Sequence, residues 1–487
     1  MRVFHNCVKY INNYLPFTNH WLILIASIPV ALSTGTLFVY SVYGTQLADK
    51  CQLDSSSAAN LNISATLGSS FGAILAGFVT DTYGTQLPIL ISCFALSLGY
   101  KWIQWQYELG ENSQVWQLLS AMFLIGVGSV SGYFSAIKAV TVNFPNLKAT
   151  AQSVTIASFA ISSLIFSFIS TNLYHGNVGG FLSFMSNACF ILMFIGFIFI
   201  RVDGNIDHDE DHYQNLEVGE LNNTDDSTDA TLLLATIVDE NTNHIDKLRS
   251  MNIKETLTHS IFWFHYFIFA IVQGLGQMYI YSVGFILKAI HYYYADKLHN
   301  KSIPSLQTLQ ALHVSLIAIA SFLGRLSSGP TSDFFVHKLN SQRHWVLIIG
   351  TVLMLIGHSL DIVKITSLTS DVHTVNLYLS IVSIVIGYAY GLSFTSYPAI
   401  VSDIFNMRNY SLIWGITYSA ATIGLTIMTK VFGYVYDGNS TTWDEKLKDY
   451  VCAKGAACYS ATFEITSGLC VLVIGSILGY IYHRSKL

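Results

Sequence analysis

The sequence predicts an all-α polytopic membrane protein with twelve transmembrane helices in two six-helix pseudo-repeats, and three observations carry that prediction. Hydrophobic residues make up 52% and charged residues only 11% of the 487 residues, whereas a soluble globule is about 25% charged. Apolar runs recur along the chain, each long enough for the about 20 helical residues that cross a hydrocarbon core of roughly 30 Å. Finally, Gly35-Thr36-Leu37-Phe38-Val39-Tyr40-Ser41-Val42 returns in the second half as Gly276-Gln277-Met278-Tyr279-Ile280-Tyr281-Ser282-Val283. Other landmarks repeat in the same order: Gly72, Gly77 and Asp81 are answered by Gly324, Gly329 and Asp333, and Gly128 and Gly132 by Gly387 and Gly391. One such match arises easily by chance, but an ordered series at slowly growing offsets is a duplication.

The predicted spans lie at about 21–44, 58–80, 87–106, 115–142, 151–173 and 179–201, then 260–287, 306–329, 344–365, 375–402, 411–435 and 461–482. They divide the chain into a lead-in (1–20), a first bundle (21–201), a linker (202–258), a second bundle (259–482) and a tail (483–487). The first run is too long for a signal-peptide core and no small-residue cleavage pattern follows it, so it reads as a retained span. With both termini in the cytosol, all seven arginines fall in cytosolic segments or at cytosolic helix ends, as the positive-inside rule requires. Lysines discriminate less, since Lys288, Lys297, Lys301, Lys446, Lys448 and Lys454 lie on the far side.

The net charge of -5 is largely local. Thirteen carboxylates between Asp203 and Asp246, with many Asn and Thr and almost no aromatic residues, predict a mostly disordered linker. A docking loop for a regulatory protein is the functional alternative there.

Thr36, Tyr40 and Tyr43 share one face of the first helix, and Gln273, Gln277 and Tyr281 one face of the seventh. A polar stripe is unfavourable against lipid, so each faces either a neighbouring helix or a cavity wall; equivalent stripes in both halves favour the cavity. In the fourth span Ser131, Ser135 and Lys138 stand at helical spacing, matched in the tenth by Tyr390, Phe394 and Tyr397. Lys138 lies inside an apolar run, where an ammonium costs about 3 kcal/mol unless paired or hydrated. It calls for an anion, or snorkels to the cytosolic face. Carboxylates are nearly absent from mid-membrane positions, with Asp361 and Asp403 at span ends. His313 and His358 are therefore the candidate proton carriers, because imidazole titrates near neutrality; hydrogen-bonded packing histidines are the plainer alternative.

Two runs make the resemblance specific: Gly77-Phe78-Val79-Thr80-Asp81-Thr82-Tyr83-Gly84, and Gly324-Arg325 through Gly329 to Asp333. They resemble the loop between helices two and three of the major facilitator superfamily and its copy between helices eight and nine. The resemblance implies that Asp81 caps a neighbouring helix N-terminus and locks a gate, consistent with carboxylate stabilisation of such an end. Basic residues usual after the Asp are replaced by Thr82, Thr85 and Gln86. Gating is thus expected of Gly77, Asp81, Gly84, Gly329 and Asp333. Within the superfamily the chain is similar to monocarboxylate-transporter-like and nodulin-like branches, including fungal members. That similarity implies that Arg325 engages a substrate carboxylate. Ser321 stands where those transporters hold an acid for proton coupling.

Asn300-Lys301-Ser302 and Asn439-Ser440-Thr441 are glycosylation acceptors in predicted non-cytosolic loops, and Cys452 and Cys458 are positioned to close a small disulfide there. No metal-ligand spacing, phosphate-binding glycine loop, nucleophile elbow or nucleic-acid patch is visible, so no cofactor, metal or enzymatic activity is expected. The terminal Ser485-Lys486-Leu487 matches a peroxisomal address but is read as a basic cytosolic tail. By resemblance the vacuolar membrane is favoured, then the plasma membrane. The expected protein is a monomeric, gradient-driven transporter of a small organic anion, such as a monocarboxylate, working by alternating access. Arg325, Lys138, Tyr40, Thr36, Gln273, Gln277, Tyr281, Tyr390 and Tyr397 are its expected substrate contacts. A neutral solute, or a transport-dead sensor signalling through the linker, is the alternative.

Overall fold

In lipid every backbone polar group must be satisfied within the protein, and a helix does this with its own residues. The computed structural model describes residues 19–53, 55–202, 248–297, 305–369, 371–444 and 449–486. The lead-in to residue 18, the acidic stretch 203–247, the Asn300 sequon and Leu487 lie outside the described residues. Among the described residues, twelve helices are long and apolar enough to cross a membrane. Several helices outrun the predicted spans, because hydropathy marks only the lipid-facing length. The seventh, Ser260–Lys297, is continuous over 38 residues. The first differs from its repeat partner: His20–Thr34 passes through a 3-10 segment, Gly35–Val39, into Tyr40–Lys50. The break falls on the repeated motif itself, where Gly35 abuts the Phe159 carbonyl of the fifth span.

The chain divides into two compact units, one comprising 1–259 with 398–416 and 482–487, the other 260–397 with 417–481. In the first unit the second span (Ser55–Tyr83) packs on the fourth (Val115–Asn143), the third (Gln86–Leu109) on the fourth and sixth (Val178–Phe199), and the first on the fourth, fifth (Lys148–Ile169) and sixth. Side-chain hydroxyls join these helices to neighbouring carbonyls: Ser129 Oγ donates to Thr34 O at 2.6 Å, Ser92 Oγ to Gly128 O at 2.6 Å and Ser162 Oγ to Leu32 O at 2.6 Å. Such bonds are worth making where the alternative is an unsatisfied group in hydrocarbon.

In the second unit the eighth span (Leu306–His337) meets the tenth (Val372–Ile404) backbone to backbone. A Cβ on Gly324 would run into the Tyr388 carbonyl, and one on Gly391 into that of Ser321. Ser328 Oγ donates to Leu392 O at 3.0 Å across the same contact. The ninth span (His344–Ile362) completes the set with the eleventh (Tyr410–Asn439) and twelfth (Ser460–Lys486), except for the ends of these two that belong to the first unit. Between the last two lie a short antiparallel pair, Thr442–Asp444 with Asp449–Val451, and the disulfide Cys452–Cys458. Just before the seventh span, Ile253–Thr258 is helical, with a capping box between Asn252 and Glu255.

Candidate functional site

The close contact of the eighth and tenth spans carries Arg325 into the protein interior, where it is 6% exposed. Its guanidinium carbon lies 4.6 Å from the Phe394 ring centroid and 5.4 Å from that of Tyr390. Nε donates to Ser321 Oγ at 3.4 Å, and Nη1 is buried with no hydrogen-bond partner among the described residues. The ion pairs among those residues are Lys138–Asp81, Lys148–Asp403 and Arg343–Asp333, so none of these carboxylates neutralises Arg325. Aromatic faces offset only about 2 kcal/mol of a desolvated cation's cost. The remainder calls for an anion.

Gln277 Nε2 donates to the Tyr390 hydroxyl at 3.2 Å, which brings the polar stripe of the seventh span to the aromatic bed of Arg325. Gln273, one turn away, is fully buried and neither end of its amide has a described partner. Tyr281 is half-exposed on the same helix. Tyr397 sits apart, its ring 4.5 Å from that of Phe269 and its hydroxyl donating to His265 O at 3.5 Å. Phe394 and Tyr418, whose rings are 6.3 Å apart, belong to this aromatic group and carried no role in the sequence. Phe394 was visible in the spacing of the tenth span; Tyr418, arriving from the eleventh, had no signal.

A second constellation lies in the first unit. Asp81 Oδ1 accepts from Lys138 Nζ at 2.7 Å and from Ser411 N at 3.2 Å, while Oδ2 accepts from Leu412 N at 2.8 Å. One carboxylate thus caps the helix beginning at Tyr410 and pairs with a cation. Lys138, expected among the substrate contacts, has its ammonium on Asp81, and it supplies the charge missing after Asp81 in the sequence. Gly77 allows this approach, since a Cβ there would meet the Ser411 carbonyl. Gly84, at φ +83, ends the second helix. Nearby, Lys148 lies 3.9 Å from Asp403, and Gln152 Nε2 donates to Thr141 Oγ1 at 2.6 Å and to the Tyr410 hydroxyl at 3.2 Å. The repeat equivalent differs: Asp333 is buried with Arg343, the Nη1 to Oδ1 distance being 2.6 Å, and Gly329 is buried beside it.

Residues 20–258 match the family described as Nodulin-like. Over 98% of both chains, this chain is 29% identical to the uncharacterized membrane protein YMR155W of Saccharomyces cerevisiae. It is 25% identical to the probable transporter MCH1 of Yarrowia lipolytica, covering 91% of this chain and 88% of the relative. The fold matches the major facilitator superfamily proton:xylose symporter XylE, with a TM-score of 0.65 at 15% identity over 95% of this chain and 96% of that one. Over its first half the chain is similar to the nodulin-like family, and its fold is that of a major facilitator superfamily protein. With twelve membrane-length apolar helices among the described residues, this fold is that of a multi-pass integral membrane protein.

The remaining expected residues are placed as follows. Thr36, expected on a cavity wall, is buried in the first unit; its hydroxyl donates to Ser33 O at 2.7 Å and its carbonyl accepts from Tyr100 at 2.9 Å. Tyr40 is half-buried, its ring edge-on to Tyr43 at 5.6 Å. His313 is engaged at both nitrogens, with Ser383 Oγ at 2.8 Å and Asn376 Oδ1 at 3.1 Å. His358 meets Thr466 Oγ1 at 2.8 Å through Nδ1. Asn439 closes the eleventh helix, its Nδ2 donating to Val435 O at 3.0 Å.

Proposed function

We propose that this protein is a transporter that moves a small organic anion, a monocarboxylate first, by alternating access, and that Arg325 takes the substrate carboxylate. The observation that supports this is a buried guanidinium with an unpartnered Nη1 and no counter-charge among the described carboxylates. Tyr390 and Phe394 fix the plane of the guanidinium, which suits a planar carboxylate, while Gln277 and Gln273 offer neutral hydrogen bonds to the rest of the solute. Lys138 belongs in this reading to the gate, with Asp81, Gly77 and Gly84. The arginine distribution supports a cytosolic side for that gate and for both termini.

The test is uptake of labelled small organic anions into proteoliposomes, wild type beside Arg325→Ala. Saturable uptake in the wild type that is lost in the variant supports the assignment. Folded wild type with no uptake above empty liposomes for any anion overturns it. A neutral solute is the second reading, favoured by the Gln273 amide with both donor and acceptor unused among the described residues. It predicts uptake that survives Arg325→Ala and fails in Gln273→Leu.

A further inference from the structure

The ninth span ends on a carboxylate that nothing among the described residues offsets. Asp361 is 2% exposed, and both its oxygens are buried without a hydrogen-bond partner among the described residues. We propose that Asp361 is a proton-binding site of this transporter, through which the proton concentration on one side of the membrane acts on transport.

An ionised carboxylate left unpartnered in an apolar interior must be neutralised by something. No described lysine or arginine pairs with Asp361. A metal ion would need several further oxygen ligands, and neither carboxyl oxygen has a described polar atom at hydrogen-bond distance. A proton needs none. The titratable groups around it are phenols: Tyr279 from the seventh span, Tyr378 from the tenth and Tyr459 at the foot of the twelfth. On its own helix His358, one turn earlier, is fully buried with Nε2 unpartnered among the described residues, and Lys364, beyond the helix end, is exposed.

A hydrogen-bonded chain runs from Tyr279, one of these neighbouring phenols, without itself touching the carboxyl oxygens. Tyr279 bonds Ser383 Oγ at 2.9 Å, Ser383 bonds His313 Nδ1 at 2.8 Å, and His313 Nε2 bonds Asn376 Oδ1 at 3.1 Å. Asn376 lines a cavity of about 20 Å³ together with His291 and Tyr294, space enough for one water. The step itself is acid–base only: a carboxyl oxygen forms an O–H bond with a proton released from hydronium, leaving water, and returns it when the conformation changes. The link to transport rests on the function proposed above; the bound proton does not.

Infrared difference spectroscopy of the purified, lipid-reconstituted protein across a pH step tests it. The wild type is expected to show a carboxylic acid C=O band at neutral pH that shifts in D₂O and is missing in Asp361→Asn. An identical band in that variant, or none in the wild type, overturns the proposal. Should Asp361→Asn fail to fold, Tyr279→Phe keeps the acid and is expected to shift the band; an unmoved band counts against the site. In proteoliposomes, stimulation of organic anion uptake by a pH gradient is expected to fall at least tenfold in Asp361→Asn while anion exchange without a gradient persists. Unchanged stimulation overturns the coupling. A wild type that moves no organic anion but retains the band sinks the transport reading and leaves the proton site standing.

Discussion

Arg325 separates two kinds of importance that a single substitution usually confounds. A buried ion-paired arginine stabilises the fold, and removing it is costly; a buried arginine without a counter-charge is held against its desolvation cost. Arg325→Met is therefore expected to melt no lower than the wild type in detergent, while saturable uptake falls about 10- to 100-fold, the equivalent of a charged hydrogen bond of about 1.5–3 kcal/mol. A large drop in melting temperature would mark the residue as structural. This arginine was legible in the sequence because Gly324 and Gly329 flank it in a recognisable run. Its bed was legible in part: Tyr390 and Phe394 follow helical spacing, but Tyr418 joins from the eleventh span, and no pattern within one helix reveals which face of another it meets.

Helix ends carry the conformational logic. Asp81 holds the first turn of the eleventh helix through Ser411 N and Leu412 N and neutralises Lys138 at the same time. Asp81→Ala is expected to cost about 0.5–2 kcal/mol from the lost cap and more from the stranded ammonium. It should lower the melting temperature and expose a cysteine placed at Ser411 to thiol reagents. Asp81→Ala with Lys138→Met is expected to recover part of the loss, a coupling that a double-mutant cycle measures. The helical cap was legible from Gly77 and Asp81, whereas the cationic partner was not, because it comes from a span distant in sequence. A second cap titrates outside the membrane. Asp371, ahead of the tenth span, accepts from Thr374 Oγ1 at 2.6 Å, Thr374 N at 3.1 Å and His373 N at 3.3 Å. These bonds, the Thr374 hydroxyl first, hold its carboxyl below the usual range. A depressed folded-state value means the cap stabilises fully above the unfolded carboxylate's pKa and is lost as pH falls through the lower folded one. Amide exchange at His373 and Thr374 is expected to accelerate in that acid window, and to be fast at all pH in Asp371→Ala.

The molecule as a whole was legible wherever a physical requirement acts on composition. Twelve apolar lengths and two ordered sets of glycines and aspartates follow from crossing lipid and from duplication, and the fold agrees with them. What the repeat did not reveal is how far its copies have diverged: a 3-10 break in the first span against an unbroken seventh, and a lysine from the fourth span against Arg343 from an adjacent loop. The extramembrane cap of the second unit was visible only as a cysteine pair. About 57 Å long at 1.5 Å per residue, the 38-residue seventh helix exceeds the hydrocarbon core of about 30 Å. At its end Tyr293 and Tyr294 donate to Thr366 O at 3.1 Å and Thr369 O at 2.8 Å, while Ala456 N donates to Thr366 Oγ1 at 3.4 Å. Opening the bridge with Cys452→Ser is expected to destabilise this cap by about 2 kcal/mol through the entropy of its short loop, read as a lower melting temperature under non-reducing conditions. Lys454 stands exposed inside that loop, between the two bonded cysteines. Trypsin cutting there leaves two polypeptides that run as one band on a gel until a thiol is added. In sealed vesicles, the side from which the protease produces that reductant-dependent split reports which compartment the cap faces, without a tag or an antibody.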